Sequence, residues 1–311
     1  MIKLGIIGMS YGNGHPFSWS AIINGYFDST LISEYGYPGI STYLEANKAT
    51  LGVVGAQVTH AWTQSRQISE CIAKATNIQN VVDNLEDMIG QVDAVLLSRD
   101  DPENHVSMSK PFIEAGIPIF IDKPLANTPE DLAYFKEEHV QGKFIMSCSS
   151  MRYASENSVA KMEYKALGKL ELITAVGKKD WPKYGVHMLE AIFMLLDDVR
   201  PVSVKHVGQS QKDTVCLHFE NGVQAVVHLF MDIAPTFQVS LFGQDSWRLI
   251  EYKNWYAMFR DNIIEFVRSV QEGKPRLDFC KTETIIRTLI AAQDSLAQDG
   301  KIIYLPSNPP K

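Results

Sequence analysis

The sequence predicts an α/β amino-terminal domain on a doubly wound parallel sheet, followed by an α+β domain with a largely antiparallel open sheet. Up to about residue 124, short β-rich runs alternate with helical stretches, which is typical of a parallel sheet with crossovers. Beyond that point, several runs alternate apolar and polar residues, which indicates antiparallel strands. At 311 residues the chain is long enough for both domains.

The first domain, residues 1–124, contains four predicted strands and two predicted helices. The strands are expected at 3–7, 53–61, 94–98 and 118–121, and the helices at 65–75 and 105–115. From about residue 26 to 50 the chain carries more than a crossover needs. This insertion is rich in Tyr and has a Pro-Gly turn, so we expect an ordered flap near the first loop.

The second domain, residues 125–311, is predicted to combine helices with several short strands. Helices are expected at 129–138, 185–196, 255–272 and 282–298, and strands at 144–149, 170–177 and in the alternating runs that follow. Asn221-Gly222 is a hairpin signal between two of these runs. Runs such as "VQAVVHLF" are apolar on both faces, so we expect a homodimer or homotetramer formed through this sheet.

Composition excludes several classes of protein. The net charge of -7 and the absence of a basic run argue against nucleic-acid binding. No stretch approaches the ~20 apolar residues that span a bilayer, and the first residues are better interpreted as a strand than as a signal peptide. The four cysteines are far apart, which suits a cytoplasmic protein, and neither they nor the histidines have metal-ligand spacing.

The stretch "GIIGMSYGNGHP", residues 5–16, follows the first strand and is rich in glycine. Such loops let backbone amides approach the pyrophosphate of a dinucleotide in a Rossmann domain. Ser10 stands where the middle glycine is usual and supplies a hydroxyl, and Asn13 takes the third position. His15 and Trp19 either cover the cofactor or brace the insertion. The expected cofactor contacts are Gly8, Ser10, Tyr11, Gly12 and Asn13.

A charged pair ends the fourth predicted strand, in "AGIPIFIDKPLA". Asp122 and Lys123 would lie at the carboxyl edge of the parallel sheet, where ligands of doubly wound folds bind. A surface salt bridge beside a domain boundary is the alternative interpretation.

Five motifs together resemble the Gfo/Idh/MocA family of oxidoreductases. They are the glycine loop, Asp122-Lys123-Pro124, "DDPENH" at 100–105, "MRY" at 151–153 and "YGVHMLE" at 184–190. The resemblance implies a two-domain NAD(P)-dependent enzyme with its site between the domains. It further implies hydride transfer to or from a small carbohydrate, sugar-acid, nucleotide-sugar or cyclitol substrate.

The resemblance also implies residue roles. Asp122 and Lys123 would lie near the nicotinamide, with Lys123 bonded to the reacting hydroxyl. His187 would take the proton of that hydroxyl, a role suited to an imidazole; alternatively it is a packed core histidine. Arg152 and Tyr153 either contact substrate or line the seam between domains.

The sequence departs from the family pattern at Lys183, which replaces the aspartate four residues before the histidine. Asp180, Lys183 or Tyr184 would then supply the missing function, and a lysine suits an anionic substrate such as a sugar acid; alternatively Lys183 is a solvated side chain. The departure also leaves open a non-catalytic nucleotide- or sugar-binding relative. A lyase, isomerase or hydrolase that uses transient oxidation is a further alternative.

The segment after the second predicted strand bears on the cofactor. An acid usually meets the ribose hydroxyls of NAD there, but this chain has Thr63. Ser65 and Arg66 suit the 2′-phosphate of NADP, unless Arg66 is only an exposed helix residue. The expected cofactor is therefore NADP or NAD, with a mild preference for NADP.

Overall fold

The computed structural model describes residues 1–306 and confirms the predicted fold class. The chain divides into two compact units. The first unit holds residues 1–126, 130–148 and 255–279, and the second holds 127–129, 149–254 and the residues from 280 onward. The first unit extends beyond residue 124, the predicted boundary, because a strand at 145–146 and a helix at 255–272 belong to it.

The first unit is a six-stranded parallel sheet with helices. Its strands are β1 Ile2–Ile7, β2 Ala56–Trp62, β3 Asn80–Val81, β4 Ala94–Leu97, β5 Ile119–Ile121 and β6 Ile145–Met146. Its helices are α1 His15–Asn24, α2 Ser29–Glu34, α3 Pro38–Ala46, α4 Arg66–Thr76, α5 His105–Glu114, α6 Pro129–Val140 and α10 Trp255–Glu272. Short 3-10 helices lie at Lys48–Thr50, Leu85–Met88 and Pro102–Asn104.

The strand order of this sheet is β3-β2-β1-β4-β5-β6. Since β1 lies between β2 and β4, the winding direction reverses beside it, and this is where doubly wound folds bind ligands at the carboxyl ends of the strands. Strand β6 pairs with β5, with Ile145 beside Ile119. The sequence predicts this strand within the second domain, but its pairing places it in the sheet of the first unit.

The predicted insertion is ordered and consists of α2, α3 and one 3-10 turn. The Tyr43 hydroxyl donates to Ser18 Oγ at 2.5 Å, which fixes α3 to α1. Thr50 at the end of the insertion lies 3.0 Å from the Tyr256 hydroxyl and accepts a hydrogen bond from Arg260 through its carbonyl, which fixes the insertion to α10. The insertion is therefore a packed part of the first unit.

The second unit contains a seven-stranded mixed sheet. Its strands are β7 Leu170–Lys178, β8 Pro201–His206, β9 Lys212–Phe219, β10 Gln224–Phe230, β11 Phe237–Gly243, β12 Trp247–Glu251 and β13 Ile303–Tyr304. Its helices are α7 Ser155–Met162, α8 Tyr164–Leu167, α9 Trp181–Leu195 and α11 Phe279–Ala297, with a 3-10 helix at Ser150–Tyr153.

The order of this sheet is β12-β11-β7-β10-β9-β8-β13. Every pair is antiparallel except β7 with β10, which is parallel because α9 and two strands intervene along the chain. One face buries residues such as Ile173, Ala175 and Val239 beneath α9. The opposite face is only half-buried, although many of its side chains are apolar.

Helix α9 begins where its sequence favours a start. The Asp180 carboxylate caps the helix by accepting a hydrogen bond from the Lys183 amide at 3.3 Å, and a proline occupies the first turn, where its missing N–H is tolerated. The Asp213 carboxylate accepts a hydrogen bond from the Trp181 amide at 3.0 Å. These contacts fix the first turn of the helix, which carries the G-x-H motif.

Gly185 of α9 has no room for a larger residue. A Cβ there would lie 2.8 Å from both the Trp181 ring and Leu289 Cδ1. The Trp181 ring is buried and held by a hydrogen bond to the Leu289 carbonyl, so it has little freedom to move. We expect Gly185→Ala to lower the free energy of unfolding by about 1–3 kcal/mol through overpacking, measured by urea denaturation.

The matched control is Gly39→Ala at an exposed position of helix α3, where a Cβ meets nothing within 4 Å. This change should leave stability unaltered or raise it by less than about 1 kcal/mol, because alanine favours helix. Equal effects at the two positions would contradict the packing argument.

Candidate active site

The glycine loop of the first unit keeps an open tip despite its substitutions. Gly8 and Gly12 both have φ of +76°, a left-handed conformation that favours glycine. Ser10 and Asn13, which replace the usual glycines, are 7% and 5% exposed. At the tip, Tyr11 is fully exposed and Gly12 is exposed.

The side chains of Ser10 and Asn13 turn beneath the loop. Ser10 Oγ donates to Asp100 Oδ1 at 2.5 Å and accepts the Asp100 amide at 3.1 Å. Asn13 Nδ2 donates to Asp122 Oδ2 at 3.0 Å and to the Ser98 carbonyl at 3.3 Å. Neither substitution fills the outer surface of the loop, so the residues present fit a dinucleotide pyrophosphate.

The start of α1 has fewer free backbone N–H groups to bind an anion than is usual in this fold. The His15 amide already donates to Asn13 Oδ1 at 3.0 Å, and Pro16 has no N–H. A bound pyrophosphate would therefore depend on amides at the loop tip, around Tyr11 and Gly12. Gly14 is covered by the insertion, since a Cβ there would clash with Ile40 and with the Tyr37 ring.

Asp122 is a buried carboxylate at the end of β5. His15 Nδ1 lies 2.5 Å from Oδ2, and the Lys123 amide donates to Oδ1 at 2.8 Å. Burial alone would raise the pKa of Asp122, but His15 and Lys123 outweigh it and hold the pKa at about 2. Asp122 is therefore a stable anion that binds the loop to the sheet.

Lys123 also belongs to this cluster. Its side chain is buried, and Nζ lies 3.8 Å from Asp100 Oδ2. Asp100 connects Lys123 to Ser10, so the loop, the end of β4 and the end of β5 share one polar network. The structure thus brings together the predicted Gly8, Ser10, Asn13, Asp122 and Lys123.

The predicted ribose-side residues are engaged elsewhere. The Thr63 hydroxyl donates to the Ser65 carbonyl at 2.8 Å and lies 2.9 Å from Ser69 Oγ. Arg66 pairs with Glu70 at 2.8 Å and with Asp83 at 2.5 Å. The prediction of NADP rests on Arg66, but the guanidinium of Arg66 already pairs with two carboxylates.

In the second unit, α9 carries four of the predicted residues. Asp180 caps the helix, and Lys183 and His187 are four residues apart and so share a face. The Tyr184 ring stacks on Phe237 at 5.9 Å and lies 5.1 Å from the His187 ring. The helix thus presents an imidazole among aromatic rings.

Two lysines give this region a positive charge. Lys179 Nζ lies 5.2 Å from the centre of the Tyr184 ring, a cation–π distance. Lys179 also has φ of +93°, a conformation rare for a residue with a long side chain. Lys183 adds a second cation on the first turn of α9.

Arg152 is committed to buried ion pairs. Its Nε lies 2.5 Å from Glu190 Oε2 and its Nη2 lies 2.8 Å from Asp198 Oδ1, and the side chain is 4% exposed. Burial raises the pKa of Glu190, while Arg152 opposes that rise. Tyr153 ends the same 3-10 helix and is half-buried.

Sequence reasoning missed several polar partners in both clusters. Asp100, Gln64, Ser149 and Glu190 were not singled out, because each acts through a partner distant in sequence. Gln64 bonds both the amide and the carbonyl of Met9, at 3.1 and 2.8 Å.

Among residues 1–306, no group of three or more His, Cys, Asp or Glu side chains is arranged to hold a metal ion.

None of the helices described in residues 1–306 has the length and apolarity of a membrane span.

Solved structures with the same fold cover nearly the whole chain. Scyllo-inositol dehydrogenase from Lactobacillus casei, with bound NAD(H) and scyllo-inositol, is 13% identical, with a TM-score of 0.74 over 98% of this chain and 99% of that one. Myo-inositol 2-dehydrogenase from Lactobacillus plantarum is 15% identical, with a TM-score of 0.75 over 98% and 99%. GenD2 from gentamicin A biosynthesis, in complex with NAD, is 13% identical, with a TM-score of 0.75 over 99% and 97%. No curated protein sequence matches the chain.

The fold and the loop define a dinucleotide-binding protein of the Rossmann class with a second, sheet-containing unit. Residues 35–146 match the family model described as "Oxidoreductase family, NAD-binding Rossmann fold", that of GFO_IDH_MocA. This match confirms the resemblance to the Gfo/Idh/MocA family of NAD-binding oxidoreductases that the motifs predict.

The depressed pKa of Asp122 predicts a specific pH dependence. Its pKa is about 2 in the folded chain against an ordinary 3.8, so its stabilisation is complete above about pH 4 and is lost as the pH falls towards 2. The shift corresponds to about 2 kcal/mol. Asp122→Asn should lower the free energy of unfolding by about that amount at pH 6, with the difference narrowing towards pH 2.

Urea denaturation across this pH range measures the effect. Asp197→Asn is the control, because Asp197 is exposed and its positive φ of 54° suits asparagine. A constant difference between Asp122→Asn and the wild type from pH 6 to pH 2 would show that the carboxylate does not titrate as described.

Proposed function

We propose that the protein is an NAD-dependent dehydrogenase that interconverts a hydroxyl and a carbonyl on a small polyhydroxylated substrate. The observation that carries the proposal is the open tip of the glycine loop at the carboxyl edge of the parallel sheet, with Lys123 following β5. A dinucleotide suits that edge, and bound NAD would supply the acceptor or donor of hydride. The inositol dehydrogenase neighbours support a carbohydrate or cyclitol as substrate.

The proposed roles of the chain's own groups follow from their chemistry. Lys123, a cation among buried carboxylates, would hold and polarise the substrate oxygen. His187 would accept or return the proton of that oxygen at its imidazole. Tyr184 and Phe237 offer flat apolar surfaces of the kind that pack against the C–H faces of sugars. Lys179 and Lys183 favour a substrate that carries a carboxylate or phosphate.

We propose NAD rather than NADP as the preferred cofactor. Glu70 and Asp83 surround the guanidinium of Arg66 and would repel the 2′-phosphate of NADP. Gln64, which bonds Met9, is a neutral side chain that lies between the loop and the end of β2.

Turnover of the purified protein tests the proposal. We expect hydride transfer, followed by nicotinamide absorbance, from at least one member of a panel of inositols, aldoses and sugar acids, faster with NAD than with NADP. Lys123→Met and His187→Gln should each lower kcat about 10²- to 10⁴-fold, because each removes a group at the reacting oxygen. Both variants should still bind NADH, measured by nicotinamide fluorescence.

Lys110→Met, at an exposed position of the first unit, is the matched control and should behave as the wild type. Failure of NADH to bind would refute the dehydrogenase proposal. Tight NADH binding without turnover, and without an effect of His187→Gln, would favour the non-catalytic relative to which Lys183 points. Retained cofactor with no net redox change would instead indicate a lyase, isomerase or hydrolase.

We also propose that the chain forms a homodimer or homotetramer through the half-buried face of the second sheet. Its apolar side chains are aligned across adjacent strands: Leu172, Val176, Val226, Phe242, Trp247 and Leu249. Trp247 is 64% exposed in the single chain. A second copy, which presents the same surface, would cover this face.

Light scattering tests the assembly. The wild type should have two or four times the mass of the 34.9 kDa chain, and Val226→Glu should dissociate it, because a carboxylate would be buried in the interface. Val54→Glu is the control, since Val54 is 95% exposed and lies in the first unit. A wild-type mass of 34.9 kDa would overturn this proposal.

A further inference from the structure

The ring of His187 has a fixed partner that is distant in sequence. Ser149 Oγ lies 2.6 Å from His187 Nδ1. We propose that Ser149 is the positioning residue of His187, taking the part of the aspartate that Lys183 replaces. This inference rests on the proposed function, in which His187 exchanges a proton with substrate.

Nδ1 needs a partner because the usual one is absent. Lys183, four residues earlier on α9, carries only donors and is unable to accept a hydrogen bond from a protonated Nδ1. Asp180, the nearest acid before His187, caps the first turn instead, and Glu190, the nearest acid after it, pairs with Arg152. A hydroxyl is suited to bond Nδ1, since it both donates and accepts hydrogen bonds.

Ser149 is held in place by two further hydrogen bonds. Its Oγ accepts the Met151 amide at 3.1 Å, and its own amide donates to Glu190 Oε1 at 3.1 Å. Glu190 lies three residues after His187, so Ser149 contacts two successive turns of α9. Ser149 is fully buried, which leaves water little access to these bonds.

The Glu190 carboxylate that bonds Ser149 belongs to a chain of ion pairs. Glu190 pairs with Arg152, Arg152 pairs with Asp198, and Asp198 lies 2.8 Å from Lys281. Arg152 belongs to the same 3-10 helix that begins directly after Ser149. The position of the hydroxyl is therefore set by the backbone and by buried charges, and His187 receives its orientation from them.

The hydroxyl serves both protonation states of the ring. The Met151 amide occupies one acceptor position on Oγ, and the second accepts Nδ1–H, so Nε2 of the neutral ring stays unprotonated and accepts the proton of the substrate hydroxyl. In the imidazolium, Nδ1–H still donates to Oγ. Release of the Nε2 proton to a substrate carbonyl oxygen then leaves a neutral ring that is still bonded to Ser149 through Nδ1.

Ser149→Ala tests the inference, with Ser150→Ala as the matched control and Ser149→Thr as the variant that keeps a hydroxyl. Long-range ¹H–¹⁵N NMR of histidine-labelled protein reports the tautomer of His187, assigned by the signal lost in His187→Gln. We expect the Nδ1–H form in the wild type, Ser149→Thr and Ser150→Ala, and a loss of that bias in Ser149→Ala.

The kinetic expectation is specific to kcat. Ser149→Ala should lower kcat about 10- to 100-fold and alter its pH profile, with KM and NADH binding little changed, as is typical of losing a group that orients another. Ser149→Thr should restore kcat. If Ser149→Ala does not fold, Ser149→Cys, which keeps a weaker donor and acceptor, replaces it in both measurements.

If the tautomer of His187 is the same in Ser149→Ala as in the wild type, the inference is wrong. A loss of kcat in Ser150→Ala as large as that in Ser149→Ala would also overturn it. The tautomer measurement needs no turnover. A chain that shows the tautomer shift but oxidises no substrate would therefore refute the dehydrogenase proposal while leaving the Ser149–His187 pairing established.

Discussion

The buried carboxylate of Asp122 is the constraint on which the first unit's site depends. An ion removed from water is stable only when charges and donors surround it. Asn13, His15 and the Lys123 amide supply them, so one side chain fixes the glycine loop, the start of α1 and the residue after β5. The substitutions of the glycine loop follow from the same constraint. Asn13 and Ser10 bond buried aspartates, and the outer surface stays available to a ligand.

A similar principle organises the second unit, with an arginine at its centre. Arg152 neutralises Glu190 and Asp198, and this ionic chain holds the Ser149 turn against α9. The turn then restrains His187. In each unit, a residue proposed to act in the reaction is therefore held by a network of buried charges: Lys123 by Asp100 and Asp122, and His187 by Ser149, which bonds Glu190. Such arrangements cost desolvation, but they fix orientation, which is what proton exchange and hydride transfer require.

The structural neighbours share only 13–15% of residues with this chain, yet they align over nearly its full length. Fold is preserved at this distance because many apolar side chains of suitable size fill the same core. Function is decided by a few side chains on that fold. This chain departs from the pattern of the Gfo/Idh/MocA family in the glycine loop, at Thr63 and at Lys183, which are positions assigned to cofactor or substrate in the proposed reaction.

The sequence alone determined the fold class, most helices and strands, and the resemblance to the Gfo/Idh/MocA family, because hydrophobic periodicity, glycine turns and the D-K-P and G-x-H motifs are local signals. The sequence predicts the bounds of α10 to the residue. It also predicts β6, but within the second domain, because the residues of a strand do not specify the strand with which it pairs. Tertiary structure decided which polar side chains meet. The pairing of Ser149 with His187 and of Ser10 with Asp100 joins positions 38 and 90 residues apart. Tertiary structure also decided that Arg66 pairs with the carboxylates of Glu70 and Asp83, because ion pairs depend on distance in space and not along the chain.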